Sequence, residues 1–204
     1  MHNLTANVDC LLTATPKHVV VSSGFNPAEL QALRDYCVQI PVTDAGVSLY
    51  EQVDETTRKC KTAFVHQNQE TLWVFEKLFN LLHFVNSNFF DFDIKGFNSF
   101  QYTCYDSTGA HYDYHLDTRF GVPPIELRLT QIPTRKISVS LILSDPSEYT
   151  GGEFMIKDGN QEETIPQPQG AAICFPSFMA HKVCPITSGK RESIVIWAVG
   201  PKFR

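Results

Sequence analysis

The chain reads as mainly β with buttressing helices (α+β), folded as a distorted double-stranded β-helix, the jelly roll. Three observations predict this. Two amphipathic helical patterns precede residue 90, strand-like patterning takes over from Phe97, and turn signals cut that second half at hairpin-like intervals. The 204 residues suit one domain, 1–204, with residues 1–96 as helical and strand support and 97–204 as the jelly-roll core. No repeat, low-complexity tract or Pro/Gly-rich linker divides it.

Each element follows from local chemistry. His18 to Ser22 is a short β-branched run after an irregular start, and reads as a strand. Asn26 can cap a helix, Pro27 fits its first turn, and Glu29 completes a capping box. Leu30, Leu33 and Cys37 then share one face. Residues 41–68 carry mixed polar and turn residues, expected as strands and loops. A longer helix is expected from Thr71 to Asn88, with Leu72, Phe75, Phe79, Leu82 and Val85 as its buried stripe. In RKISVSLILS, Ile137, Val139, Leu141 and Leu143 take one face, while Ser138, Ser140 and Ile142 take the other. SIVIWAVG is apolar on both faces, as a strand between two layers should be. The signals DPSEYTGGE, KDGNQ and PITSGK mark the turns, with Gly151 and Gly152 at positive φ. The 15 Phe suit packing between sheets.

Composition excludes several classes. The 43% apolar fraction is that of a globular chain, not a disordered one. A net charge of −5 without a long Lys/Arg run gives a nucleic-acid partner no electrostatic support. No stretch approaches a membrane span, and the N-terminus lacks a signal peptide's basic region. Six Cys without a CxxC pair read as mostly reduced thiols in a cytoplasmic protein.

Two segments carry the chemistry. Tyr105 to Asp117 (YDSTGAHYDYHLD) closes on His115 and Asp117, and His181 to Arg191 (HKVCPITSGKR) places a His ten residues before an Arg. His-x-Asp plus a distant His is the donor set of the facial triad that holds non-haem Fe(II) and leaves positions open. Residues i and i+2 of a strand share a face, so His115 and Asp117 can reach one ion, with His181 arriving from another strand. Arg191 offers a permanently charged fork for a carboxylate. His111 and Asp113 form a rival His-x-Asp that spacing alone does not reject. His2, His18, His66 and His83 stand in no such context.

These residues resemble the Fe(II)/2-oxoglutarate-dependent dioxygenases, in particular the prolyl-4-hydroxylase-like branch and its bacterial and phage PKHD-type relatives. The branch's order of Tyr, Gly, Tyr and His-x-Asp is filled by Tyr105, Gly109, Tyr112, His115 and Asp117. Its later Gly-Gly-Glu turn, His, Pro-x-Thr turn, Gly, basic residue and Trp are filled by Gly151–Glu153, His181, Pro185, Thr187, Gly189, Arg191 and Trp197. The resemblance covers roughly Phe97 to Arg204 and implies the jelly-roll fold independently of periodicity. It favours His115 and Asp117 over the rival pair, because the second Tyr precedes the ligand His by three residues.

The resemblance implies Fe(II) on His115, Asp117 and His181, with 2-oxoglutarate as cosubstrate and O2 as oxidant. It implies hydroxylation with release of succinate and CO2, and ascorbate as a reductant. Arg191 would hold the cosubstrate, aided by Tyr105, Ser193 and Tyr112, while Lys190 stays a solvated turn cation. His111, Asp113 and Trp197 would border the substrate. The aromatic residue common near the end of the RKISVSLILS strand is replaced by Ile142, which leaves Ser138, Ser140 or Ser193 as substitute donors. The expected substrate is a peptidyl proline or another amino-acid side chain, selected in part by a loop over Asp117 to Pro133. The alternatives are the same chemistry on a nucleobase or small molecule, or a cupin-like binder without catalysis. Oligomeric state has no sequence signal.

Overall fold

The computed structural model describes residues 15–46, 54–118 and 133–203. Helix α1 (Pro27–Val38) begins as its sequence dictates, for Asn26 and Glu29 each bond the other's backbone N–H, at 2.9 and 2.8 Å. Leu30, Leu33 and Cys37 form its buried face. Helix α2 (Leu72–Val85) continues as a π-helical turn, Asn86–Phe90, which ends where Asp91 takes a φ of 51°.

The buried stripe of α2 differs from the expected one. Phe75, Leu82 and Val85 are buried, but they are joined by Val74, Leu78 and Leu81, while Leu72 and Phe79 are exposed. The helix is apolar on most sides, so the apolar positions alone do not choose a face. The polar set Glu76, Lys77, Asn80 and His83 does choose, because the core takes the side opposite it.

The major sheet has seven strands in the order β1 (Val19–Ser22), β11 (Ala171–Pro176), β7 (Thr134–Ile142), β14 (Arg191–Gly200), β5 (Ser99–Tyr105), β4 (Lys61–His66) and β2 (Thr43–Asp44). The minor sheet has five, in the order β10 (Gln161–Ile165), β9 (Phe154–Asp158), β12 (Ala180–Val183), β6 (His111–His115) and β3 (Arg58–Lys59). A small ribbon pairs β13 (Ile186–Gly189) with β8 (Tyr149–Gly151). All these pairings are antiparallel, which is the jelly-roll arrangement. The strands before residue 97 are integral to it, since β1, β2 and β4 complete the major sheet and β3 edges the minor one.

The alternation of β7 becomes two different environments. Ile137, Val139, Leu141 and Leu143 join the helices in one core, and Ile142 faces a second core between the sheets. Phe is distributed unevenly between them. Phe25, Phe75, Phe90 and Phe100 fill the helix-facing core, whereas Phe154 and Phe175 lie between the sheets. The expected inter-sheet use of Phe is therefore a minority use. The space between the sheets is instead partly a cavity. Among the described residues no helix is long and apolar enough to cross a membrane.

Candidate metal and cosubstrate site

His115 ends β6 and lies directly opposite His181 of β12 in the antiparallel register. Asp117 sits just past the strand rather than in it, held by its N–H donating to Ser177 O at 3.0 Å. The ligand atoms of His115, Asp117 and His181 all lie within 4.8 Å of one another. The Nε2 atoms of His115 and His181 stand 3.7 and 3.5 Å from the Asp117 carboxylate oxygens.

Each imidazole is held through its other nitrogen. His115 Nδ1 bonds Asp113 O at 2.8 Å, and His181 Nδ1 bonds Met179 O at 3.0 Å. A carbonyl only accepts, so both Nδ1 atoms carry a proton and both Nε2 atoms, the nitrogens that would bind a metal, face the centre. Ser138 Oγ donates to Asp117 Oδ2 at 2.6 Å and pairs with Ser177 at 2.9 Å. Burial, and then the nearby His181, push the His115 imidazole well below its ordinary pKa, against a smaller opposing pull from Asp117. Burial pushes the Asp117 carboxyl up, but His181, His115 and the Ser138 hydroxyl outweigh it and hold the group below the usual range. Neutral imidazoles beside an ionised carboxylate are the protonation states a divalent metal requires. The donor set fits Fe(II).

Aromatic packing fixes the rings. Tyr112 stacks on His115 with centroids 3.5 Å apart and planes at 15°, and the Arg58 guanidinium lies 4.4 Å over the other face of Tyr112. Phe154 and Phe175 wall His181 at 5.6 and 4.5 Å. Tyr112 and His115 meet because the ladder is irregular here. His181 pairs with His115 but Val183 pairs with Tyr112, so β6 gains a residue between them and side-chain alternation shifts.

That irregularity also decides against the rival pair. His111 and Asp113 stay on the outer side and do not line the cavity, contrary to their expected place beside substrate. Both ring nitrogens of His111 meet backbone carbonyls, Gly109 O at 2.8 Å and Thr56 O at 3.1 Å, and Asp113 is exposed.

The triad opens into a cavity of about 850 Å³ that Arg191, Tyr105 and Ser193 also line. Arg191 is 1% exposed, yet among the described residues no carboxylate pairs with it. Its contacts are neutral: Gln167 Oε1 at 3.0 and 2.7 Å, Ser193 Oγ at 3.5 Å, and the Tyr105 ring 5.4 Å away. Its stem rests on Gly152, where a Cβ would come within 3.1 Å of Arg191 Cδ. A buried guanidinium lacking a counter-charge fits a ligand carboxylate. Burial raises the hydroxyls of Tyr105 and Tyr112 above the ordinary tyrosine range, so both stay neutral donors.

Ser140 and Trp197 also line the cavity, Ile142 is fully buried between the sheets, and Ser138 is committed to Asp117. Lys190 is not a free turn cation, since its Nζ lies 2.7 Å from buried Glu192. Sequence reasoning missed Gln167, Arg58, Gln101 and Thr103, whose types are common in loops and sheets and carry no motif. The Asp117 to Pro133 loop lies almost wholly outside the described residues.

Fold and site together define a class, a jelly roll carrying a two-His, one-carboxylate donor set beside a buried arginine that has no carboxylate partner among the described residues. Residues 100–199 match the model of the 2OG-Fe(II) oxygenase superfamily. A PKHD-type hydroxylase of Janthinobacterium sp. (strain Marseille) is 37% identical over 90 residues, which cover 44% of this chain and 38% of that protein. The match thus spans well under half the length of that relative. A Pseudomonas putida prolyl-4-hydroxylase has the same fold, with a TM-score of 0.70 at 20% identity over 96% of this chain and 97% of that one. A Trichoplax adhaerens prolyl hydroxylase, solved with a hypoxia inducible factor oxygen degradation domain peptide fragment, has a TM-score of 0.70 at 16% identity, covering 91% and 84%. The C-terminal half of the chain is thus similar to the 2OG-Fe(II) oxygenases, and the chain shares the fold of the prolyl-4-hydroxylases.

Proposed function

We propose that the chain is an Fe(II)- and 2-oxoglutarate-dependent dioxygenase that hydroxylates an sp3 carbon of a peptidyl proline or another amino-acid side chain. The observation that carries this is one cavity lined by both a metal-ready His-Asp-His set and a buried arginine that has no counter-charge among the described residues. His115, Asp117 and His181 would hold Fe(II), and Arg191 would pair with the distal carboxylate of 2-oxoglutarate, with Tyr105 and Ser193 beside it. When bound, the metal and cosubstrate supply the oxidation, in which O2 and 2-oxoglutarate become succinate, CO2 and the hydroxyl placed on substrate.

The protein's own part is positional. The carbonyls of Asp113 and Met179 keep the Nε2 atoms facing inward, and Ser138 fixes the carboxylate. Phe154 and Phe175 keep water from the His181 side. Tyr112 and Trp197 would flank substrate. Hydroxylation is supported by the hydroxylase relatives and a peptide substrate by the peptide-bound neighbour, and the net charge of −5 gives DNA or RNA no help. A cupin-like binder without catalysis has no use for Arg191. The proposal treats 1–204 as one catalytic domain acting in the cytoplasm, with ascorbate keeping the metal ferrous. Cys37, Cys60, Cys104, Cys174 and Cys184 are free, as a reducing compartment would leave them.

The test supplies Fe(II)-loaded protein with 2-oxoglutarate, O2 and either proline-rich peptides, free amino acids or DNA. Succinate release with a gain of about 16 Da on a peptide or amino acid is expected. Oxidation of DNA alone would overturn the substrate and keep the chemistry. No 2-oxoglutarate turnover with any substrate would overturn both.

A further inference from the structure

Gln167 stands between β10 and β11, in the run Pro166-Gln167-Pro168. Each proline fixes its own φ, and Pro168 confines Gln167 to extended backbone, so the amide is presented from a stiff segment. The segment is pinned further on, where Gln169 Nε2 donates to Leu143 O at 2.8 Å and Gly170 N donates to Ile142 O at 2.9 Å.

The Gln167 amide is used at both ends. Its Oε1 accepts from Arg191 Nε at 3.0 Å and from Arg191 Nη2 at 2.7 Å. Its Nε2 donates to Gly152 O at 3.1 Å, on the turn that carries the arginine stem. That second bond fixes which end of the amide faces the guanidinium. One edge of the fork, Nε with Nη2, is thereby occupied; Nη1 makes one long contact, to Ser193 Oγ at 3.5 Å, and the terminal edge, one hydrogen each of Nη1 and Nη2, can meet a ligand in the cavity.

We propose that Gln167 is a positioning residue for 2-oxoglutarate, which selects the edge of Arg191 that meets the distal carboxylate and leaves the arginine's charge undiminished. The proposal rests on the cosubstrate reading of Arg191. A neutral acceptor is the required chemistry. Aspartate or glutamate would orient the fork equally well but would supply the counter-charge that the cosubstrate must provide. An apolar residue would leave the charge and lose the orientation.

The experiment measures 2-oxoglutarate binding by calorimetry on the full chain loaded with Mn(II), alongside steady-state kinetics with Fe(II). Gln167→Glu should weaken binding by roughly tens-fold or more without loss of thermal stability. Gln167→Met, similar in shape but without an acceptor, should weaken it less, raising KM with little change in kcat. In an Arg191→Ala background, Gln167→Glu should have almost no further effect. Equal binding by wild type and Gln167→Glu overturns the proposal. So does a Gln167→Glu defect that persists unchanged without Arg191. If Arg191→Ala alone leaves 2-oxoglutarate affinity intact, the cosubstrate reading itself fails. If Arg191→Ala weakens binding and neither Gln167 variant does, only the role of Gln167 falls.

Discussion

Arg191 and Glu192 are adjacent on β14 and face opposite sides of the major sheet. Arg191 looks into the inter-sheet cavity and among the described residues has neutral partners. Glu192, also 1% exposed, looks toward the helices and meets Lys190 and Arg34 at 2.7 Å each, with the Tyr102 hydroxyl donating to Oε1, the oxygen that Lys190 also meets, while Arg34 takes Oε2. Strand alternation keeps the two apart. The acid therefore serves stability without neutralising the arginine next to it.

Glu192→Ala should destabilise the protein by about 3 kcal/mol, because Arg34 and Tyr102 would lose a buried partner. The figure sits at the low end because Lys190 is 41% exposed and water can replace part of its contact. Chemical denaturation checks the magnitude. Metal affinity should be unchanged, since none of these groups touches the triad.

The same carboxyl sets an acid limit. Burial pushes Glu192 up, but bonds from Lys190, Tyr102 and Arg34 prevail and hold it below the ordinary value of 4.5. A depressed folded-state pKa gives stability that is fully present above the unfolded value and is lost as pH falls through the folded one. The stability gap between wild type and Glu192→Gln should hence stay level from neutral pH to about 4.5 and shrink in more acid solution. A gap that narrows above pH 6 would contradict this.

His115→Ala or Asp117→Ala should abolish Fe(II) binding and succinate formation, and His111→Ala should preserve both. Ser138→Ala tests the support of the ligand shell. Loss of its 2.6 Å bond to Asp117 should lower metal affinity or activity by about 10–100-fold. Tyr112→Phe keeps the ring stacked on His115 and should bind metal normally, whereas Tyr112→Ala should not. Metal titration followed by calorimetry reads all of these.

How much of this was legible in the sequence follows from how each feature is encoded. The cap at Asn26, the Gly-Gly turn and the His115, Asp117, His181 and Arg191 set depend on residue type at fixed spacing, and the structure gathers those residues, although Asp117 lies just past β6 and not in it. The stripe of α2 was misread because Leu72 and Phe79 are apolar residues at the border of the polar face. His111 could be set aside only by analogy, since the irregularity that turns it outward lies in how β6 pairs with β12. Gln167 was invisible. Its role arises from a contact with Arg191, 24 positions away, that no local pattern marks.

Arg191→Ala should raise the KM for 2-oxoglutarate by tens- to thousands-fold, the equivalent of about 2–5 kcal/mol for a lost charge-assisted contact. Lys190→Ala should leave that KM unchanged, although loss of its pair with Glu192 will cost some stability. A normal KM for Arg191→Ala would contradict the assignment.

The two turn glycines should separate stability from cosubstrate binding. Both have positive φ, 75° at Gly151 and 68° at Gly152, so alanine at either is strained by about 1–2 kcal/mol from backbone conformation alone. Their surroundings differ. A Cβ on Gly151 would lie 2.3 Å from Pro185 O, a backbone atom that cannot move without shifting the β8–β13 ribbon. On Gly152 the nearest atoms are Ile186 Cδ1 at 2.4 Å, which can rotate aside, and Arg191 Cδ at 3.1 Å, which must give by a few tenths of an ångström. Gly151→Ala should therefore be the less stable variant. Gly152→Ala should be the one that raises the KM for 2-oxoglutarate, because its methyl pushes on the arginine stem while its carbonyl still anchors Gln167. Melting temperature and KM measured on both variants should rank them in opposite orders, and the same ranking in both would show that Gly152 supports the turn and not the arginine.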